Sequence, residues 1–227
     1  MLQWIVARSD DRLSGMQFDA ILFDLDNTLY PAASGVGSAM EERMNAFVQR
    51  VVGCDAASAR ALRRAYYERH GTTLRGLQND YRFDVEEYLR FVHDLDLEAL
   101  IAADADLDAL LDRTRATKAI FTNAPEEHAR RVLRTLGIER HFDRIFDIRF
   151  AAFLPKPHPA AYQRALETLG MTGPHTALIE DSPQNLGPAR DLGMFTVLIG
   201  DLSPGTASLA NLVAPDVRTA LHQLLEA

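Results

Sequence analysis

Ala20-Ile-Leu-Phe-Asp24-Leu-Asp26-Asn-Thr28-Leu-Tyr30 begins with a short apolar run and then sets two carboxylates two residues apart. The run is continuous rather than alternating, which is the pattern of a strand covered on both faces by helices. Carboxylates at the end of such a strand bring charge to the edge of a sheet, where a core has no use for it. Further runs read as strands in the same way: Lys118 to Thr122, Ile145 to Phe150, Thr176 to Asp181 and Phe195 to Gly200. Helical patterns separate the later ones. Ala129, Val132, Leu133 and Leu136 follow the i, i+3, i+4, i+7 spacing between Pro125 and Gly137, and Tyr162, Ala165, Leu166 and Leu169 repeat it before Gly170. Strand and helix thus alternate from about residue 106 onward. This predicts an α/β fold, a doubly wound parallel sheet of strand order 3-2-1-4-5. In that order the first strand lies between the second and the fourth, and Asp24, Thr122 and Asp181 converge at its carboxyl edge, the switch point where such sheets bind ligands.

Between the first and second strands the chain spends about 75 residues on helical patterning alone, too many for a simple crossover. Residues 32–105 are therefore expected to form an inserted helical domain, with 16–31 and 106–227 as the sheet-bearing core and 1–15 as an N-terminal extension without assigned function. A chain of 227 residues buries roughly 70 to 75% of its unfolded surface and can build such a core without disulfides. Cys54 is the one cysteine, so no intrachain bridge forms, and a reducing compartment is expected. Lys and Arg number 24 against 32 Asp and Glu, a net charge of −8, which argues against a nucleic-acid polymer as partner. No apolar run approaches the ~18 residues of a membrane span. The expectation is a cytoplasmic protein with no membrane partner; the oligomeric state is not readable.

Glu180-Asp181-Ser182 closes the fourth predicted strand with a second acidic pair, and Thr122-Asn123 closes the second. Acids gathered this way repel one another unless a cation and a basic side chain join them. The lysine available is Lys156, in Leu154-Pro-Lys-Pro-His-Pro159, where three prolines restrict the backbone that aims it. An all-oxygen acidic site suits Mg²⁺, which keeps several waters and takes a few carboxylates plus substrate phosphate.

The order Asp24-X-Asp26-X-Thr28, Thr122-Asn123, Lys156, Glu180-Asp181 resembles the four motifs of the haloacid dehalogenase superfamily of phosphohydrolases, with a Rossmann-like core and a helical cap inserted after the first motif. The resemblance implies that Asp24 is the nucleophile that becomes an aspartyl phosphate. Asp26 would protonate the leaving oxygen and then activate water, and crowding by like charges would raise its pKa. Thr122, Lys156 and the backbone N–H groups near the helix that begins at Pro125 would hold the phosphoryl oxygens, with Asn123 beside them in the substrate site. Asp24, Asp181 and the backbone carbonyl of Asp26 would hold the metal. Around them, Thr28 would support the first motif, Glu180 would orient a metal-bound water, and Asn185 would fix the loop.

Within the insert, Ala65-Tyr-Tyr-Glu-Arg-His-Gly-Thr-Thr-Leu-Arg-Gly-Leu77 and Tyr88-Leu-Arg-Phe-Val-His-Asp94 resemble the pyrimidine 5′-nucleotidase branch, including its bacterial members. That implies a nucleoside monophosphate as substrate, with Tyr67 stacking on the base and Arg75 on a loop marked as flexible by Gly71 and Gly76. His70 and His93 read as structural. A dehalogenase is disfavoured because Asp26 serves leaving-oxygen chemistry, and a Schiff-base phosphonatase because residues 32–105 contain no lysine. The alternatives are a phosphatase or phosphomutase acting on sugar phosphates and, more distantly, a receiver-like signalling domain.

Overall fold

The computed structural model describes residues 17–200 and 210–226, so the expected N-terminal extension lies outside the described residues. β1 (Ala20–Phe23) is followed by α1 (Val36–Val52), α2 (Ala56–His70), α3 (Thr73–Asp80) and α4 (Val85–His93), and only then by α5 (Ala105–Arg113) and β2 (Thr117–Phe121). The chain continues through α6 (Glu126–Leu136), β3 (Arg144–Phe146), α7 (Pro159–Leu169), β4 (Thr176–Glu180), α8 (Pro183–Asp191), β5 (Phe195–Ile199), β6 (Leu212–Ala214) and α9 (Val217–Leu225). All pairings are parallel, in the order β3-β2-β1-β4-β5-β6. The predicted order is present with β6 added at the edge; at three residues, Leu212–Ala214 is too short to stand out as an apolar run.

β3 is a second departure. The apolar run predicted a strand from Ile145 to Phe150, but pairing stops at Phe146. Asp147 turns the chain out of the sheet: its carboxylate accepts the N–H of Phe150 at 2.7 Å and the N–H of Glu126 at 3.1 Å.

Both faces of the sheet are dry, which explains the continuous apolar runs. Ile21, Phe23, Ile120, Ile179 and Val197 pack toward α5, α6 and α9 through residues such as Leu107, Val132, Leu133 and Leu221. Leu22, Phe121, Leu178 and Leu198 point the other way, onto Tyr162 and Ala165 of α7 and Leu186 and Ala189 of α8. Because Phe23 pairs with Ile120 on one side and Ile179 on the other, the residues that follow all three strands emerge at one level. The Asp24 N–H still donates to the Ile179 carbonyl at 2.9 Å, so Asp24 is held to the sheet at the point where its side chain is needed.

The helices of the insert share the apolar mass that covers this edge. Phe47 of α1 meets Tyr88 of α4 edge-on, with ring centroids 5.0 Å apart, and Leu77, Leu89 and Val92 are buried around them. Polar bonds fasten the insert to the sheet domain. Arg149 donates to both carboxylate oxygens of Glu86 on α4, at 3.0 and 2.6 Å, and Arg131 of α6 donates to the carbonyls of His93 and Leu95. Among the described residues no helix is long and apolar enough to cross a membrane.

Candidate active site

Lys156 is 1% exposed, and its ammonium donates to Asp24 Oδ1 at 2.8 Å, Glu180 Oε2 at 2.7 Å and the Phe121 carbonyl at 2.6 Å. An ammonium has three protons, so the set is complete. The backbone of Lys156 is held equally firmly. Asn123 Oδ1 accepts its N–H at 2.7 Å, and Asn123 Nδ2 donates to its carbonyl at 3.1 Å. Thr28 donates to the second oxygen of Asp24 at 3.1 Å, so both Asp24 oxygens have a partner.

Carboxylate oxygens of Asp24, Glu180 and Asp181 lie within 4.8 Å of one another. Burial first, and the charge of Glu180 second, push Asp24 up to about 7 against the pull of Lys156. Asp181 is pushed up to about 6 by burial and then by Asp24. Burial likewise raises Glu180. For Lys156 burial works against the charged form, but the Asp24 and Glu180 charges outweigh it and raise its pKa. Three acids and one ammonium leave a negative excess in a largely buried site, an electrostatic setting that a hard cation would relieve.

Asp26 corrects one expectation. Crowding by like charge was expected to raise its pKa, but it is lowered: burial raises it, and the charge and hydrogen bond of His128, with the Tyr30 hydroxyl, more than reverse that. His128 Nε2 lies 2.8 Å from Asp26 Oδ1, and Tyr30 donates to the same oxygen. Neither partner was picked out from the sequence. A signal existed for His128, because the buried face of α6 runs His128, Ala129, Val132, Leu133, Leu136, and a histidine in an otherwise apolar stripe needs a polar partner inside. After Asp26 the chain turns sharply, with Asn27 in the left-handed region at φ 62°.

Thr122 closes β2 fully buried, and its hydroxyl oxygen accepts the Ala124 N–H at 3.0 Å, leaving the hydroxyl proton for another acceptor. The first N–H of α6, that of Glu126, is donated to Asp147. Glu180 uses one oxygen on Lys156 and the other on the Ser182 N–H at 3.1 Å, which fixes the turn that presents Asp181. Asn185 is buried in the first turn of α8. Its carbonyl accepts the Tyr162 hydroxyl at 2.7 Å, and its side-chain oxygen has no partner among the described residues.

Beside this cluster a cavity of about 720 Å³ opens between sheet edge and insert. Asp26, Asn27 and Asn123 line its sheet side, while Met40, Met44, Arg63, Tyr67 and Tyr88 line the insert side. Tyr67 is 46% exposed with its hydroxyl 3.5 Å from Ser182, whereas Tyr66 is buried in the insert. Arg75 is not among the lining residues; the arginines there are Arg63 and Arg64. The expected flexible loop at 71–77 is absent too. Gly71 ends α2 at φ +81°, the Thr72 hydroxyl caps α3 by accepting the Arg75 N–H at 3.1 Å, and Gly76 is pressed on the Tyr66 ring. Threonine and two glycines mark helix ends and close packing as readily as loops. His93 is buried and held neutral, its pKa lowered by burial to about 3.

Comparison with known proteins agrees with this architecture. Phosphate metabolism protein 8 of Saccharomyces cerevisiae is 30% identical over 191 residues, which cover 78% of this chain and 60% of the yeast protein, so the chain spans about three fifths of that relative. The magnesium-bound HAD-hydrolase YfnB from Bacillus subtilis superposes with a TM-score of 0.62 at 18% identity, covering 92% of this chain and 99% of its own. A HAD phosphatase from Thermococcus onnurineus gives 0.60 at 20% identity, covering 93% and 97%. At such identities the likeness is one of fold. The family model described as haloacid dehalogenase-like hydrolase matches residues 18–193, a stretch that contains Asp24, Asp26, Thr122, Lys156 and Asp181, and the chain therefore belongs to that family of hydrolases.

Proposed function

We propose that this hydrolase is a Mg²⁺-dependent phosphomonoesterase that acts through an aspartyl phosphate on a small phosphate ester, with pyrimidine nucleoside 5′-monophosphates as the preferred class. The observation that carries the reading is the buried Lys156 ammonium between Asp24 and Glu180, with Asp181 beside them and a cavity open to Asp26. Asp24 would attack phosphorus, and the bond from phosphorus to the ester oxygen would break as Asp26, which takes up a proton only when the negative charge of the bound phosphate offsets the pull of His128 and Tyr30, gives that oxygen its proton. Asp26 would then take a proton from water, whose oxygen attacks phosphorus and releases orthophosphate and free Asp24. Lys156 and the Thr122 hydroxyl would balance charge on the phosphoryl oxygens.

The donor set fits the metal, since all its ligand atoms are hard oxygens and their raised pKa values mark a deficit of positive charge. Asp24, Asp181 and the carbonyl of Asp26 would hold Mg²⁺, which when bound screens the negative charges of Asp24 and phosphate from each other. Helices α1 to α4 would act as a cap that excludes water and selects the leaving group. The nucleotide preference is supported by the cavity, whose Met40, Met44, Tyr67 and Tyr88 offer flat and apolar surface for a base. The yeast relative's name, a phosphate metabolism protein, points toward phosphate chemistry as well. The single cysteine supports a cytoplasmic setting.

The test is phosphate release from UMP, CMP, dTMP, AMP, GMP, sugar phosphates and p-nitrophenyl phosphate, each with Mg²⁺ and with EDTA. Metal-dependent release that favours the pyrimidine nucleotides is expected, and Asp24→Asn should abolish it. Release without that preference removes the nucleotide assignment, and unchanged kcat in Asp24→Asn removes the nucleophile.

A further inference from the structure

We propose that His128 and Tyr30 are positioning residues that lock Asp26 by one oxygen, Oδ1, so that its other oxygen, Oδ2, performs both proton transfers. The inference rests on the phosphomonoesterase reading and specifies how its acid–base group is held. Two donors meet on Oδ1, His128 Nε2 at 2.8 Å and the Tyr30 hydroxyl, while none of the described residues donates to Oδ2. They approach from different elements, Tyr30 from the turn after β1 and His128 from α6, so together they fix both the position and the rotation of the carboxyl plane. Both are buried, His128 1% exposed and Tyr30 3%, so each ring is held in place by packing as well as by its hydrogen bond.

A carboxylic acid has one proton and keeps acceptor capacity on its other oxygen. Because Oδ1 is occupied as an acceptor by two donors, a proton on Asp26 resides on Oδ2, the oxygen free to meet the ester oxygen in the cavity that Asp26 lines. Once that proton has left with the alcohol, the same Oδ2 accepts one from water with no rotation of the side chain. The histidine has no competing polar partner, since Nδ1 is buried without one among the described residues. Its other face is packed by His93 of α4, ring centroids 4.8 Å apart. The insert therefore supports the ring that supports Asp26.

The test separates a misplaced acid from a damaged fold by changing the leaving group. Phenyl phosphate needs a proton on its departing oxygen, and p-nitrophenyl phosphate needs far less help. Tyr30→Phe, nearly isosteric, and His128→Ala are each expected to lower kcat/KM for phenyl phosphate by about 10-fold or more beyond the loss for p-nitrophenyl phosphate, a fraction of the 10²–10⁴ that general acid catalysis supplies. His128→Gln, which retains a donor near the Nε2 position, is expected to restore most of the lost discrimination. With p-nitrophenyl phosphate the same variants should accumulate acid-stable phosphoenzyme in quenched samples, because water activation slows as well. Equal losses on both esters in Tyr30→Phe, or no loss in either variant, would overturn the proposal while leaving the phosphatase reading intact. Wild-type protein that releases no phosphate, or full turnover in Asp24→Asn, overturns that reading and this inference with it.

Discussion

Lys156 occupies the point where two buried carboxylates would otherwise face each other without a counter-charge, and its removal should be read as a change in their ionisation as much as the loss of a contact. Lys156→Met keeps the stem and deletes the charge, so Asp24 and Glu180 would stay ionised only at the cost of an unpaired buried charge, on the order of 3–5 kcal/mol. The sign with pH follows. In the wild-type protein the raised Lys156 pKa means that its stabilisation is present below its unfolded value and across the neutral range. In the variant the two acids, already raised by burial, rise further and take up protons as pH falls, which relieves the penalty. Urea unfolding should therefore show a loss relative to wild type that is large at pH 8 and clearly smaller at pH 5. A loss independent of pH would mean that the ammonium acts only through packing. The variant should also have lost phosphatase turnover at both pH values.

Elements differ in how much of themselves the sequence discloses, and the reason is where their stabilising contacts come from. β1, β2, β4 and β5 are legible because burial on both faces demands unbroken apolar runs, and α6 and α7 because one face each must be apolar. The motifs that end the strands are legible for the opposite reason, being polar where a buried strand should not be. β6 is too short to carry a pattern, and the apolar run predicts too long a β3 because Ile148 and Phe150 serve a turn that Asp147 organises. Arg75 lies on α3 rather than on the expected loop, because glycine and threonine do not say whether they mark a loop or a helix end. The role of Gly71 is visible only in three dimensions. It stands at φ +81°, and a Cβ there would come 2.9 Å from the Lys156 carbonyl and 3.1 Å from the Pro157 ring. Gly71→Ala thus imposes both left-handed strain and a clash with the backbone that carries Lys156, for an expected cost of about 1–3 kcal/mol. Thermal unfolding should register that loss, and kcat should fall with it as the lysine loop is pushed back. An unchanged kcat beside a lowered Tm would show that the strain relaxes into the insert instead.

At the scale of the whole molecule, one acidic cluster ties folding to pH and, on the proposed Mg²⁺ site, to metal. Asp24 and Asp181 are raised to about 7 and about 6, above the 3.8 of an unperturbed aspartate, so the metal-free native state holds protons that the unfolded chain releases between roughly pH 4 and 7. Within that window the unfolded state binds fewer protons than the native one, and the cluster's contribution to stability falls as pH rises. A cation takes ionised carboxylates as ligands, so its binding expels those protons and is favoured by the same rise in pH. The two effects together predict that Mg²⁺ stabilises the protein most where the metal-free form is weakest. At about a hundred times its Kd, a ligand specific for the native state adds ~2.7 kcal/mol, which in a chain of this length moves Tm by roughly 5–10 °C. Scanning calorimetry with Mg²⁺ and with EDTA should give a shift of that size at pH 8, little or none at pH 5, and none at either pH in Asp181→Asn. A shift of equal size at both pH values would place the metal on groups that do not titrate in this range, and one that persists in Asp181→Asn would place it away from the sheet edge.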